Sequence, residues 1–387
     1  MKKQNKLLIF LKDSFFSRHT TPTLGEAERL ALLLMLVYSP LPPIATIEAA
    51  RFEADEETLK AARKDTVIGG RENLSALLDN EISALRRSLE LADYNISQAY
   101  SAVSSIATTV YAMIAAVILF VSPEIAKVVG YSIAAATIAL SALGLSVYPR
   151  AIALPSRKKH FLIPAVSIPL AALTDPLFAL LVAAIPSALL AFLERKEYIT
   201  TFEEALEHLR DAASRPWAPL SAVSVEWLKR REGWMLVDAL RKLIELAGLH
   251  GAPEALSKAM ETYGKMYNYI ESFSRKGLMM FAYTLIGAVV TATALALSLA
   301  TVRLLSPHLQ GLSIGFSFQT PSPEIRFHFM ASLALISLGL ALLTSWCREG
   351  TWRYYSMYLP FIVASCIVGW FVGDKAVVYL FRWGGRI

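Results

Sequence analysis

Residues 267–305 read YNYIESFSRKGLMMFAYTLIGAVVTATALALSLATVRLL, and their reading decides the fold. Up to Lys276 the residues are polar and charged at helical spacing, and after Gly277 no charged residue occurs until Arg303. A helix rises about 1.5 Å per residue, so the apolar run is long enough to cross a hydrocarbon core of roughly 30 Å. No evident linker separates the halves. The pattern predicts one helix that begins in water and ends in a bilayer, a rigid joint between a polar segment and a membrane span.

The rest of the chain fits that frame. It has 387 residues, 55% hydrophobic and only 18% charged, with mean hydropathy +0.45. Soluble domains carry about 25% charged residues. Backbone polar groups are too costly to leave unpaired in hydrocarbon, so long apolar runs there must be helical. Runs 105–122, 128–147, 278–302 and 328–346 meet the length requirement, and the aromatic-rich 354–373 is similar. The sequence therefore predicts an all-α, polytopic membrane protein. The basic start MKKQNKLLIFLKDSFF is broken at Lys12 with no small-residue cleavage site after it, and is not expected to be a cleaved signal. Two cysteines, Cys347 and Cys366, give neither a disulfide framework nor metal-ligand spacing. The net charge of +6 is expected to set membrane orientation rather than to bind nucleic acid.

Four segments follow. Residues 1–104 are expected to form a first cytoplasmic helical domain. Residues 105–193 form a membrane region of two spans, turning at SPEIAK, plus a proline-broken hairpin over 161–193 that reads as two short helices turning at LTDP. Residues 194–277 form a second cytoplasmic helical domain, and 278–387 hold three spans and a tail. With the N-terminus inside and the hairpin counted as two passes, inside segments carry 32 of the 38 Lys and Arg. Short-loop Lys and Arg favour the cytoplasm, which supports this parity.

The two polar segments share a design. Residues 21–122 and 199–302 each offer an apolar helix, a proline-marked turn (YSPLPPIATI, SRPWAPLSAV), amphipathic helices, and a helix entering the membrane unbroken. The order reads as an internal duplication.

Chemistry-bearing motifs are lacking. There is no G-x-x-x-x-G-K-[ST] loop and no H-E-x-x-H. The expectation is therefore no enzyme and no cofactor or metal. A transporter is the alternative, with an unrelated membrane scaffold behind it. Coupled carriers usually hold ionisable groups within spans, whereas only Asp175, at the hairpin turn, interrupts 161–193, and no acid falls within the five runs.

The stretch AGLHGAPEALSKAMETYGKMYNYIESFSRKGLMMFAYTLIGAVV, with Gly251, Leu256, Glu271, Arg275 and Lys276, resembles a segment of the platform proteins of type IV pili, archaella and type II secretion systems (the GspF/PilC/TadC/FlaJ family), most of all in its archaeal branch. The ending LGLALLTSWCREGTWRYYSMYLPFIVASCIVGWF is similar to that family's final hairpin, with Arg348-Glu349-Gly350 as the short loop. The resemblance implies a cell-membrane protein with its N-terminus in the cytoplasm. It also implies a hexameric secretion ATPase and pilin subunits as partners in filament assembly, a homodimer, and no direct contact with nucleic acid. For the ATPase, the candidate contacts are Lys229, Arg230 and Arg231, then Glu271, Arg275 and Lys276, then Arg157, Lys158 and Lys159. Gly277, at the polar–apolar boundary, is the hinge candidate.

Overall fold

The structure is a computed structural model that describes residues 26–50, 54–142, 148–149, 152–171, 173–230, 233–309, 322 and 324–384. Among these the regular structure is all helical, with no strand. The helices are α1 (Glu26–Tyr38), α2 (Pro43–Ala50), α3 (Glu56–Ile68), α4 (Glu72–Ser105), α5 (Tyr111–Val121), α6 (Pro123–Ser141), α7 (Ser167–Leu170), α8 (Pro176–Ser214), α9 (Val225–Lys229), α10 (Met235–His250), α11 (Pro253–Leu309), α12 (Ile325–Glu349) and α13 (Tyr355–Gly384). Among the described residues, six helical stretches are long and apolar enough to cross a membrane: 72–119, 123–141, 176–214, 253–305, 325–349 and 352–377. That is the requirement for a multi-pass membrane protein.

Contacts divide the chain into two compact units, residues 1–82 with 208–260, and residues 83–207 with 261–387. In the first, the apolar middle of α1 is enclosed: Leu30 to Leu36 are at most 1% exposed. It packs on α10, whose Leu236, Leu240, Leu243, Ile244 and Ala247 are also buried. Polar groups close the helix ends. The Arg71 guanidinium donates to the carbonyls of Leu36, Val37 and Leu41 at 2.5–2.9 Å, taking up acceptors that the end of α1 leaves open. The buried Asp65 carboxylate accepts from Asn73 N and Leu74 N and so caps the start of α4. The two polar segments share a local feature here. Helix α3 ends on Gly69 (φ 77°) and α10 on Gly251 (φ 64°), each left-handed and each leading directly into a long helix.

In the second unit, the two long helices run parallel and in step. Lys276 of α11 pairs with Asp93 of α4, and Tyr100 Oη meets Thr284 Oγ1. Thr291 Oγ1 donates to Thr108 O at 3.1 Å. These partners stand 183 or 184 residues apart in sequence, a near-constant offset along the two helices. Thr108 lies in a π-turn, Ile106–Val110, that joins α4 to α5. The Thr291 hydroxyl takes up a carbonyl of that widened turn. Helix α12 runs parallel to α6, with Tyr131 beside His328 and Gly339 against Thr137. Helix α13 runs parallel to α11 through a G-x-x-x-G pair: the Gly369 and Gly373 α-carbons sit against the carbonyl oxygens of Val289 and Thr293.

Two expectations change. Helix α6 starts at Pro123, five residues before the anticipated 128, because Ser122 caps it, Pro123 occupies the first turn and Glu124 follows. The 161–193 stretch is not two short helices. Residues His160–Val166 form a 3-10 helix followed by the single turn α7. The second leg is the beginning of the 39-residue α8, which continues through Pro186 and past Glu194. The missing N–H of Pro186 is tolerated within a packed membrane helix.

Candidate functional site

The polar junctions of the second unit converge at one level. The end of α12, the start of α13, α8 at Glu194–Arg195, Ser274 of α11 and the segment 152–160 are joined there by side chains. Each of these residues borders an apolar stretch of its helix or segment.

Glu349 is at the centre, with a fully buried side chain. Its Oε1 accepts from Arg195 Nε at 3.0 Å and from Tyr358 Oη at 2.5 Å, and lies 3.7 Å from Arg348 Nε. Its backbone carbonyl accepts from Leu154 N at 2.9 Å. The next residue, Gly350, has φ 71°, and a Cβ there would stand 2.3 Å from the Tyr148 ring. Only glycine fits that turn without strain. Arg195 also donates through Nη2 to Ser274 Oγ at 2.9 Å, and Arg348 donates to the same oxygen from Nε and Nη2 at 3.3 and 3.2 Å.

A second buried carboxylate lies beside the first. Glu194 Oε1 accepts the backbone N–H groups of Arg157 and Lys158 at 2.6 and 3.1 Å. His160 Nε2 stands 2.9 Å from Glu194 Oε2, out of line for a hydrogen bond, and its Nδ1 meets Ser356 Oγ at 3.2 Å. Burial pulls the His160 imidazole below its ordinary value, against the upward pull of Glu194. Ser187 of α8 donates to His160 O at 2.5 Å, Arg353 to Ser156 O at 2.7 Å and Tyr354 to Pro155 O at 2.7 Å. The two ends of the 161–193 hairpin therefore meet, and the chain leaves at the level where it entered.

Chemically, this arrangement clamps. Buried carboxylates and guanidiniums with directed hydrogen bonds hold four helices and a connecting segment in one register, and breaking one partner exposes the other to an uncompensated charge. Among the described residues no group of three His, Cys, Asp or Glu is placed to hold a metal ion.

The residues singled out from sequence fall as follows. Lys229 and Arg230 are exposed at the end of α9 in the first unit, and the Arg230 carbonyl accepts from Arg241 Nη1. Arg231 lies outside the described residues. Glu271 and Arg275 form an exposed ion pair one turn apart on α11, while Lys276 is paired with Asp93. Arg157, Lys158 and Lys159 are exposed, and Lys158 Nζ lies 3.4 Å from Glu197. Gly277 is buried in an unbroken α11, where a Cβ would stand 3.0–3.2 Å from the Arg348 side chain. The second and third candidate sets share the second unit; the first set belongs to the other. Sequence reasoning missed Glu194, Arg195, His160 and Ser274. The available signal was Glu194-Arg195 itself, the first charged pair after the apolar run from Pro176.

In comparisons with known proteins, the chain matches no family model, no curated protein and no solved structure.

Proposed function

We propose that this protein is the membrane platform of a type IV pilus-like filament assembly machine of the archaeal kind. In this reading a hexameric secretion ATPase acts on the polar helices from the cytoplasm. The motion passes into the spans and lifts pilin subunits from the bilayer into the filament base. The polar level around Glu349 is the cytoplasmic edge, in keeping with the basic residues that flank it.

The observation that carries this reading is α11, one helix from Pro253 to Leu309 that crosses the polar–apolar boundary at Gly277 without interruption. A helix transmits displacement along its axis, where a flexible linker would absorb it. The Asp93–Lys276 pair and the Thr108–Thr291 bond keep α4 and α11 in step, so a push on one polar segment is shared by both. The buried Glu349 and Glu194 networks tie α8, α12 and α13 to that movement. Lys229, Arg230 and Arg231 are the first candidates for the ATPase contact, and a homodimer is the expected assembly.

The test is co-purification of the full chain with the hexameric secretion ATPase of its own cell, before and after charge reversal at 229–231. The proposal expects a complex that charge reversal weakens. If no ATPase binds and the reconstituted protein instead supports substrate-dependent ion flux, the protein is a transporter.

A further inference from the structure

We propose that Arg195, Arg348 and Ser274 form a site for the phosphate group of an anionic lipid. Three N–H donors from two guanidiniums converge on one hydroxyl oxygen, at 2.9, 3.2 and 3.3 Å. A serine oxygen has two lone pairs, so this acceptor is over-subscribed. The carboxylate in contact with the two guanidiniums is Glu349, whose Oε1 is engaged by Arg195 Nε and Tyr358 Oη, leaving Arg348 Nε 3.7 Å away. Two guanidiniums thus share the Glu349 carboxylate, while the neighbouring Glu194 carboxylate is taken up by the backbone N–H groups of Arg157 and Lys158. The side chains of Arg195 and Arg348 retain 18% and 14% exposure, so an anion from outside can reach them. A phosphate offers several charged oxygens in the geometry that a guanidinium fork accepts, and would satisfy donors that the lone hydroxyl cannot.

The surroundings favour a lipid as the source of that phosphate. One turn further towards the apolar part of α11 from Ser274 is Leu278, and the corresponding step on α8 from Arg195 reaches Phe192. Each is 54% exposed. A headgroup held at the three polar side chains therefore has outward-facing apolar surface beside it for the acyl chains. Basic clusters between helices at a membrane edge recognise headgroups in this way.

The test uses the full chain in mild detergent. Native mass spectrometry reads retained phosphatidylglycerol and phosphatidylcholine, and thermal unfolding reads the response to inorganic phosphate. Ser274→Glu places a carboxylate between the two guanidiniums and is expected to stay folded while retaining phosphatidylglycerol about tenfold less well. Arg348→Gln is expected to lose it too, and Ser274→Ala, which leaves both guanidiniums in place, to keep it. Stabilisation by inorganic phosphate that Ser274→Glu abolishes, without retained lipid, assigns the same site to free phosphate. Equal retention of both lipids by the wild type overturns the proposal. So does equal behaviour of wild type and Ser274→Glu towards both probes.

Discussion

Replacing Glu349 by alanine removes the acceptor shared by Arg195 Nε and Tyr358 Oη and leaves two guanidiniums facing each other at the end of α12. The expected cost is about 3 kcal/mol, typical of breaking a buried ion pair from one side. Glutamine keeps a carbonyl acceptor in the same place but no charge, so Glu349→Gln is expected to lie between wild type and alanine. Thermal unfolding in detergent orders the three; equal midpoints for wild type and alanine would show that Glu349 bears no load. Part of this site was legible from the chain. Arg348-Glu349-Gly350 stood out as the loop of a final hairpin, and the structure makes Glu349 and Gly350 the fixed points there. Arg195 was not legible, because its contact with Glu349 spans 154 residues of sequence. No local spacing encodes such a pair.

Helix α11 and its neighbours show what periodicity reveals and what it hides. The span lengths and the start of α6 at Ser122-Pro123 follow from apolar run length and capping chemistry, both local. Pro186 misled because proline ends most helices in water, whereas in a packed membrane helix its lost hydrogen bond is tolerated. The parallel pairing of α4 with α11 is tested by geometry: a Cβ on Gly287 would lie 3.3 Å from Thr108 Cβ, close to the roughly 3.5–4.5 Å of natural disulfides. The double variant Thr108→Cys, Gly287→Cys is expected to cross-link under mild oxidation. The pair Thr108→Cys, Tyr283→Cys is not, since Tyr283 is 75% exposed and turned outward. The seam between α11 and α13 has its own test. A Cβ at Gly369 would meet Val289 O at 2.2 Å, and backbone cannot swing aside. Gly369→Ala should therefore destabilise by about 1–3 kcal/mol. Gly264→Ala, with nothing within 4 Å of its new Cβ, should stabilise by about 0.5–1 kcal/mol. Unfolding midpoints that move the same way for both would remove the close-packing account of this seam. The G-x-x-x-G spacing of Gly369 and Gly373 was in the sequence from the start.

For the molecule as a whole, the platform reading requires the polar junctions to share one face of the membrane and the hairpin to return to it. The geometry within the second unit brings the 152–160 segment, Glu194, Ser274 and Glu349 to one level, with Ser122 and Asp175 at the far ends of their helices. The most direct measurement is the labelling of single cysteines by a membrane-impermeant thiol reagent, in vesicles of known and opposite orientation. Lys158→Cys, Glu197→Cys and Arg275→Cys are expected to label only from the cytoplasmic face. Glu124→Cys and Asp175→Cys are expected to label only from the other. Labelling of positions 158 and 275 from opposite faces would contradict the account, because no shared push on the polar helices could then reach both copies of the span.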